Sequence, residues 1–484
     1  MSELRFQATN GVIWSFIERF SVQGAQFLIG IVLARLLTPH DYGLIGMLAI
    51  LMSLSQVFID GGFSVALVQK KDRNESDFST VFFISIGISL LLYIIIYICS
   101  PLISTFFNQP ILKSVARVYC FNLIINSLAA VNRTKLLINV DFKTQSKISL
   151  LSAILSGVVG IYFAYSGYSV WALVIQAIVG AVLNVILSFY YVRWAPSLIF
   201  SVDSFHRLFK FGSKVLVATI IGSVYTNLYS LVIGKKYTSA DLGYYTRANQ
   251  FTSLMSDNIS EILSRVALPV LSNIQDDNER LIGAYRKYIQ VATFVVFPMI
   301  MGLCGIAKPL VLLLLTEKWA KTIILMQILS FNYLWGPITK VNLNLLYVKG
   351  RSDLILRLEI IKKTIAFSIL LVSIFFSLEI VCLGLAVYSV IATYLNCHYT
   401  DRLLNYGFLT QMKEIMPNLL LSLFVLGESL LISEIVSNSF LSLALSVTLC
   451  SVTYLFMAYF FKVQALKEIL GIIKINNFFD NIKR

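Results

Sequence analysis

The sequence contains little charge and few of the residues that build metal or redox sites. Charged residues make up 13% of its 484 positions, whereas soluble domains contain about 25%, and 57% of the residues are hydrophobic. Only three histidines are present, and the six cysteines lie in apolar segments without a C-x-x-C pair. We therefore expect an integral membrane protein that uses no metal ion, no cofactor and no disulfide framework.

Several catalytic motifs are also missing from the sequence. It has no G-x-x-x-x-G-K-[ST] phosphate loop, no G-x-S-x-G elbow and no H-E-x-x-H helix, so ATP hydrolysis, serine-hydrolase chemistry and zinc-protease chemistry are not expected. The formal net charge of +14 is typical of a membrane protein with basic cytoplasmic loops. Nucleic acid is therefore not an expected partner.

What the sequence does contain is a long series of apolar segments. Because a helix needs about 20 mostly apolar residues to cross a bilayer, we predict fourteen spans, at residues 11–35, 43–67, 80–100, 111–134, 146–166, 169–192, 210–234, 243–268, 286–307, 322–347, 356–377, 380–399, 415–434 and 440–461. With the N-terminus inside, 27 of the 39 Lys and Arg residues are cytoplasmic and seven are external. Since basic residues accumulate in cytoplasmic loops, both termini are expected in the cytoplasm.

A motif at the start of the second span recurs 200 residues later. "LLTPHDYGL" at 36–44 matches "KYTSADLGY" at 236–244, with Thr, Asp and Gly at equivalent positions, and shorter matches follow in the same order. Each copy contains six spans, so both copies should have the same orientation in the membrane, as in parallel-repeat transporters. The predicted domains are the N-lobe 1–192, a cytoplasmic linker 193–206, the C-lobe 207–401, two extra spans within 413–461 and a cytoplasmic tail 462–484.

Charged and amide side chains lie inside several predicted spans. In the first span, Arg19, Gln23 and Gln26 share one helix face by their i, i+4, i+7 spacing, and the eighth span has a longer polar stripe. Charge in the bilayer core is costly, so such residues usually face a partner or a water-filled cavity. We predict a cationic substrate-binding cavity formed by Arg19, Arg117, Arg247, Arg265, Lys340, Gln23, Gln26 and Gln250.

Four carboxylates in the same spans are candidates for coupling transport to an ion gradient. They are Glu18, Asp60, Asp257 and Glu261. Asp60 and Glu261 occupy nearly equivalent positions in the two copies of the repeat.

Structural interpretations of these charges stay open. Glu18 points about 100° away from its neighbour Arg19 and could neutralise an adjacent helix. Asp257, Glu261 and Arg265 are spaced four residues apart and could form an ion-pair ladder along one helix. Lys340 could extend to the cytoplasmic headgroups, as could Arg265.

The segment that contains "LARLLTPHDYG" and "DGGFSVALVQ" resembles the Wzx-type polysaccharide-transport flippases of the multidrug/oligosaccharidyl-lipid/polysaccharide superfamily. It especially resembles exporters of the capsule, colanic-acid and teichuronic-acid type. The resemblance implies an all-α membrane protein with fourteen helices, in two six-helix lobes around a central cavity. In the related lipid II flippases the last two helices form a groove for the lipid tail, although Glu428 in span thirteen fits such a groove poorly.

The function that the resemblance implies is transport without catalysis. A polyprenyl-diphosphate-linked oligosaccharide would move from the inner to the outer leaflet of a bacterial cytoplasmic membrane by alternating access, for lipopolysaccharide or capsule synthesis. The lipid bilayer and a polysaccharide polymerase or export machinery are the expected partners. Two alternatives stay open: a multidrug or cation antiporter of the same superfamily, and a membrane glycosyltransferase or polymerase, which the short external loops disfavour.

Overall fold

The chain is almost entirely α-helical. The computed structural model describes residues 21–469, except for the side chains of 261–266, 268–270 and 352, and the described residues contain no β-strand. Internal contacts divide the chain into a first unit, Met1–Gly243, and a second unit, Tyr244–Arg484. The all-α fold class expected from the sequence is confirmed.

The first unit consists of consecutive helices joined by short connections. In chain order they are α1 (Ser21–Leu36), α2 (Pro39–Asp60), α3 (Phe63–Gln69), α4 (Glu75–Phe107), α5 (Leu112–Tyr119), α6 (Asn122–Ile138), α7 (Phe142–Tyr165), α8 (Val170–Val192) and α9 (Val202–Lys236). The longest, α4 and α9, have 33 and 35 residues and so extend well beyond the roughly 20 residues that a crossing requires.

Helix α10 begins at the end of the first unit and continues into the second. The helices are α10 (Ser239–Ser272), α11 (Asn278–Gly305), α12 (Ala307–Leu314), α13 (Lys321–Leu334), α14 (Gly336–Val348), α15 (Ser352–Ser373), α16 (Leu378–Leu404), α17 (Phe408–Ile435) and α18 (Ser439–Phe460). A 3₁₀ turn at Glu317–Trp319 connects α12 to α13.

Thirteen of the predicted spans coincide with one helix or with two consecutive helices, and the described part of the first span, from residue 21, lies in α1. The pairs are α2 with α3, α5 with α6, and α13 with α14. Ten segments of the described chain are long and apolar enough to cross a membrane by themselves, and α10 is not one of them. The polytopic membrane architecture therefore agrees with the prediction. Like α10, helices α13, α14 and α15 are not among the ten segments.

The repeated motif builds the same helix start twice. Thr38 and Asp41 form a capping box at α2, in which the Asp41 carboxylate accepts from the Thr38 N–H at 2.9 Å. Thr238 and Asp241 repeat this bond at α10, at 3.2 Å. The sequence similarity thus corresponds to a repeated local structure.

The glycines of the two motifs allow these helix starts to touch. A Cβ atom on Gly43 would lie 1.7 Å from the carbonyl oxygen of Ser239, and one on Gly243 would lie 1.9 Å from that of Pro39. Both distances are far too short for a side chain. The contact is reciprocal, because each motif places its glycine against the first turn of the other helix.

The linker after α8 is docked against the start of α4. The indole N–H of Trp194 donates to Glu75 at 2.6 Å, and the backbone N–H groups of Ser197 and Ser201 donate to hydroxyls of α4 at 3.0 Å each. Helix α9 then packs along α2 and belongs to the first unit. The predicted lobes 1–192 and 207–401 are the two copies of a sequence repeat, whereas the two units are defined by internal contacts. The lobe boundaries therefore stay a prediction.

A buried polar network fixes α17 inside the second unit. The side chain of Asn342 in α14 donates to Gln411 in α17 at 3.0 Å and accepts from Thr400 in α16 at 2.6 Å. All three residues are buried. Because unsatisfied amides are costly in an apolar interior, this network holds three helices together at one point.

Candidate functional site

Arg247 is a buried cation on the polar helix α10. Only 7% of it is exposed, and its guanidinium donates to the side-chain oxygen of Gln250 at 2.7 Å. Its central carbon lies 5.9 Å from the ring centre of Trp319, which is fully buried. One turn of α10 therefore places the predicted Arg247 and Gln250 side by side, and the indole borders the arginine within the second unit.

A second polar group lies further along α10, where α14 begins. The ammonium of Lys340 is 3.6 Å from the carboxylate of Asp257, and these side chains are 31% and 50% exposed. Nearby, the Tyr333 hydroxyl donates to the side chain of Asn249 at 2.8 Å. The structure thus places Lys340, a predicted substrate-binding residue, beside Asp257, a predicted coupling carboxylate.

A contact between α10 and the break that separates α13 from α14 positions α10 in this region. Pro337 has no N–H, so the carbonyl of Tyr333 four residues earlier loses its helical partner. The hydroxyl of Ser256 in α10 donates to this carbonyl at 2.8 Å. Helix α10 is therefore hydrogen-bonded to the break, through the carbonyl that Pro337 leaves without a helical N–H donor.

Three of the predicted polar residues of the first unit lie on α1 and α2. Gln23 is half-buried and Gln26 is exposed, both on α1. Asp60 ends α2 and accepts from the Ser64 hydroxyl in α3, and Thr134 of α6 in turn donates to Ser64 at 3.2 Å. The Asp60 carboxylate is thus part of a hydroxyl chain that bridges the Gly61–Gly62 bend.

Arg117 lies on the short helix α5, in a cleft that α5 forms with α4. Its Nε donates to the Ser100 hydroxyl at 2.8 Å, and its guanidinium covers the ring of Tyr97 at 4.3 Å. The cleft also contains Lys113.

Four predicted residues are not described at side-chain level. Glu18 and Arg19 fall outside residues 21–469, and the side chains of Glu261 and Arg265 are outside the described set.

Arg133 is a polar residue that the sequence analysis did not select. It lies on α6, is exposed, and donates to Asn184 of α8 at 2.9 Å and to Asn126 at 3.0 Å. Arg133 lies within the predicted span 111–134, one residue before its end. The seven-residue spacing of Asn126 and Arg133, which places both on one helix face, was the available signal.

A cavity of about 480 Å³ lies among α10, α11, α17 and α18 in the second unit. Its walls are mainly apolar and include Pro298, Val425 and Tyr454. Glu428 of α17 is not part of this lining, and its carboxylate accepts from the hydroxyl of Thr453 in α18 at 2.6 Å. The Glu428 carboxylate therefore lies outside the apolar lining and is hydrogen-bonded to α18.

The fold is that of a class of polytopic membrane transporters. It matches the solved structure of the lipid II flippase MurJ in an inward closed conformation with a TM-score of 0.76, at 16% identity, over 93% of this chain and 99% of that one. It also matches an inward-facing MATE family multidrug transporter of the MOP superfamily with a TM-score of 0.60, at 15% identity, over 78% and 94% of the two chains.

Within this class, the chain belongs to the polysaccharide biosynthesis protein family, whose family model matches residues 32–324. It is 24% identical to the teichuronic acid biosynthesis protein TuaB of Bacillus subtilis (strain 168), over 73% of this chain and 74% of TuaB. It is 26% identical to the lipopolysaccharide biosynthesis protein WzxC of Escherichia coli (strain K12), over 74% and 73% of the two chains. The resemblance seen in "LARLLTPHDYG" is confirmed.

Proposed function

We propose that this protein is a flippase for a polyprenyl-diphosphate-linked oligosaccharide, moving it from the inner to the outer leaflet of a bacterial cytoplasmic membrane. The relatives are named for the synthesis of two different surface polysaccharides, and the fold is shared with a lipid II flippase. Transport occurs by alternating access, without an enzymatic step, and both termini lie in the cytoplasm. A polysaccharide polymerase receives the product on the outer side.

The observation on which this proposal depends is the composition of α10. After Gly243 this 34-residue helix contains two arginines and two carboxylates. Charge in contact with lipid is costly, so within a transporter fold these residues should face protein or a water-filled path. Its buried Arg247, oriented by Gln250, suits the diphosphate of the substrate, because guanidinium groups form strong charge-assisted bonds with phosphate oxygens. Asn249 and Tyr333 add neutral polar groups of the kind that bind sugar hydroxyls.

The apolar cavity beside α17 and α18 is the proposed site for the polyprenyl tail. Its volume of about 480 Å³ and its mainly apolar walls fit a hydrocarbon chain better than a glycan. Because Glu428 is bonded to Thr453 and lies outside the lining, its charge does not contradict this assignment.

The membrane potential is the proposed driving force. Outward movement of a diphosphate across an inside-negative membrane is favoured by about 2.3 kcal/mol per unit charge per 100 mV, and so is the inward return of an empty cationic site. Asp257, which also lies on α10 and contacts Lys340, is the carboxylate that we propose could add an ion-coupled step.

The test is a flipping assay in proteoliposomes that contain a lipid-linked oligosaccharide. Flipping should require the protein and should slow strongly when valinomycin and equal potassium remove the potential, even with a proton or sodium gradient retained. A protein that exports cationic drugs but leaves the lipid-linked glycan in its original leaflet would instead be an antiporter. Release of new glycosidic products would indicate a glycosyltransferase.

A further inference from the structure

The cleft between α4 and α5 holds a cation whose position is built into the helix. Pro101 lies inside α4 and, having no N–H, leaves the carbonyl of Tyr97 without its helical partner. The Ser100 hydroxyl donates to that carbonyl at 2.8 Å and accepts from Arg117 Nε, also at 2.8 Å. The guanidinium lies over the Tyr97 ring. A proline kink, a serine and a tyrosine thus fix Arg117 while using only one of its three nitrogens.

The remaining nitrogens of Arg117 have no anionic partner among the described residues. No carboxylate of residues 21–469 forms a salt bridge with Arg117 or with Lys113, one turn earlier on α5. Two cations in one cleft of about 580 Å³, with the rings of Tyr93, Tyr97 and Phe121 as walls, suit an anion with a polar, ring-stacking or hydroxylated headgroup.

The cleft lies beside a surface that faces lipid. Ile94, Ile98 and Leu102 follow each other at four-residue spacing on α4, directly beside the stripe of Tyr93 and Tyr97, and they are 52%, 69% and 68% exposed. An exposed row of large aliphatic residues on a membrane-spanning helix is a lipid-facing row. An anion reaching Arg117 from this side would therefore carry acyl or isoprenoid chains.

The depth of the cleft matches the headgroup region. Arg117 is five residues after the start of α5, or about 8 Å along the helix, and the cleft includes Pro110 in the turn between α4 and α5. Tyrosines and basic residues are typical of the membrane–water interface. In the proposed orientation of the chain, this interface belongs to the outer leaflet.

We propose that the α4–α5 cleft is a binding site for the phosphate of a lipid in the outer leaflet, with Arg117 and Lys113 as its ligands. This removes Arg117 from the predicted translocation cavity and gives it a separate ligand. The leaflet assignment rests on the proposed orientation, whereas the site itself does not depend on flipping. A bulk phospholipid and a polyprenyl phosphate, the lipid part of the proposed substrate class, share this chemistry.

The binding test uses the full chain in phosphatidylcholine nanodiscs doped with phosphatidylglycerol or with a polyprenyl phosphate, and native mass spectrometry of the lipid retained. K113Q/R117Q should retain about 30-fold less of the doped lipid, since each basic residue at an anionic headgroup contributes roughly a factor of five. K308Q removes an exposed cation on α12 and should retain as much as the wild type. R117K should retain more than R117Q, which separates loss of charge from misfolding.

The outcomes separate the sources of the phosphate. Loss of both lipids in K113Q/R117Q supports a general lipid-phosphate site, and loss of the polyprenyl phosphate alone supports a site for the product class. Equal retention by K113Q/R117Q and wild type overturns the proposal, as does binding of inorganic phosphate with neither lipid retained. Labelling of Lys113→Cys by an impermeant maleimide in intact cells should be rapid. Labelling only after permeabilisation overturns the outer-leaflet assignment and the proposed orientation of the chain, but not the lipid site or the proposed substrate.

Discussion

Helices α2 and α10 begin alike and then differ. Both start with a Thr-x-x-Asp capping box followed two residues later by glycine. Beyond that glycine, α2 has a single charged residue, Asp60 at its end, whereas α10 contains two arginines and two carboxylates. With α3, α2 forms a segment apolar enough to span a membrane, and α10 does not.

This difference shows that the residues that start a helix and the residues in its interior have separate effects. The capping box satisfies the free N–H groups at a helix start, so it determines where each helix begins regardless of its surroundings. The interior residues determine what the helix faces, because charge in contact with lipid is costly. Two helices that start with the same motif can therefore differ in the polar chemistry of their interiors.

The largest effect on transport is expected at Arg247. Replacement by alanine removes the buried guanidinium and leaves Gln250 without that contact, which should slow flipping in proteoliposomes about 10- to 100-fold, the equivalent of a charged hydrogen bond of about 1.5–3 kcal/mol. Lys308→Ala removes an exposed cation on α12 and should leave the rate unchanged. Full activity of Arg247→Ala at normal protein level would contradict the proposed site on α10.

The reciprocal glycine contact gives the next largest effect. Gly43→Ala and Gly243→Ala each place a methyl group within 2 Å of a carbonyl oxygen, so each should destabilise the protein by about 1–3 kcal/mol as an overpacked contact. The apparent melting temperature in detergent measures this.

Gly283→Ala is the matched control, because Gly283 lies in α11 and no atom is within 4 Å of its Cβ position. Alanine there should be neutral or slightly stabilising. If Gly43→Ala and Gly243→Ala melt like this control, the two helix starts do not pack as closely as the distances indicate.

The sequence predicts helices well and partners poorly. Fourteen spans are predicted from apolar length alone, and the recurrence of Thr, Asp and Gly indicates that two helix starts are alike. The pairing of Lys340 with Asp257 joins residues 83 positions apart, and Arg133 meets Asn184 across 51 positions. Helical periodicity shows which residues share a face but not which helix lies opposite, so these contacts required the tertiary structure.

A smaller effect is expected for the Lys340–Asp257 pair. Both side chains are partly exposed, and exposed ion pairs contribute only about 0.2–1 kcal/mol. Lys340→Ala and Asp257→Ala should therefore each reduce flipping only about two- to fivefold.

The double variant tests whether the two residues act together. If the pair is the functional unit, the double variant should be no slower than the slower single variant. Additive losses would show that lysine and carboxylate act separately, and a rate that follows an ion gradient only while Asp257 is present would make this carboxylate the coupling group.

The smallest effect is expected at an ion pair outside the predicted spans. Arg351 donates two hydrogen bonds of 2.9 Å to Asp353 at the start of α15, and these bonds lower the pKa of the Asp353 carboxyl to about 2. A carboxyl whose pKa is lower in the folded than in the unfolded chain stabilises the fold above its unfolded pKa of about 3.9. That contribution is lost as the pH falls towards about 2.

Asp353→Asn should therefore lower the melting temperature by a small, constant amount between pH 5 and pH 8, and the difference should shrink below about pH 4. A difference that changes between pH 5 and pH 8 would mean that another titrating group, rather than this exposed pair, responds to the substitution.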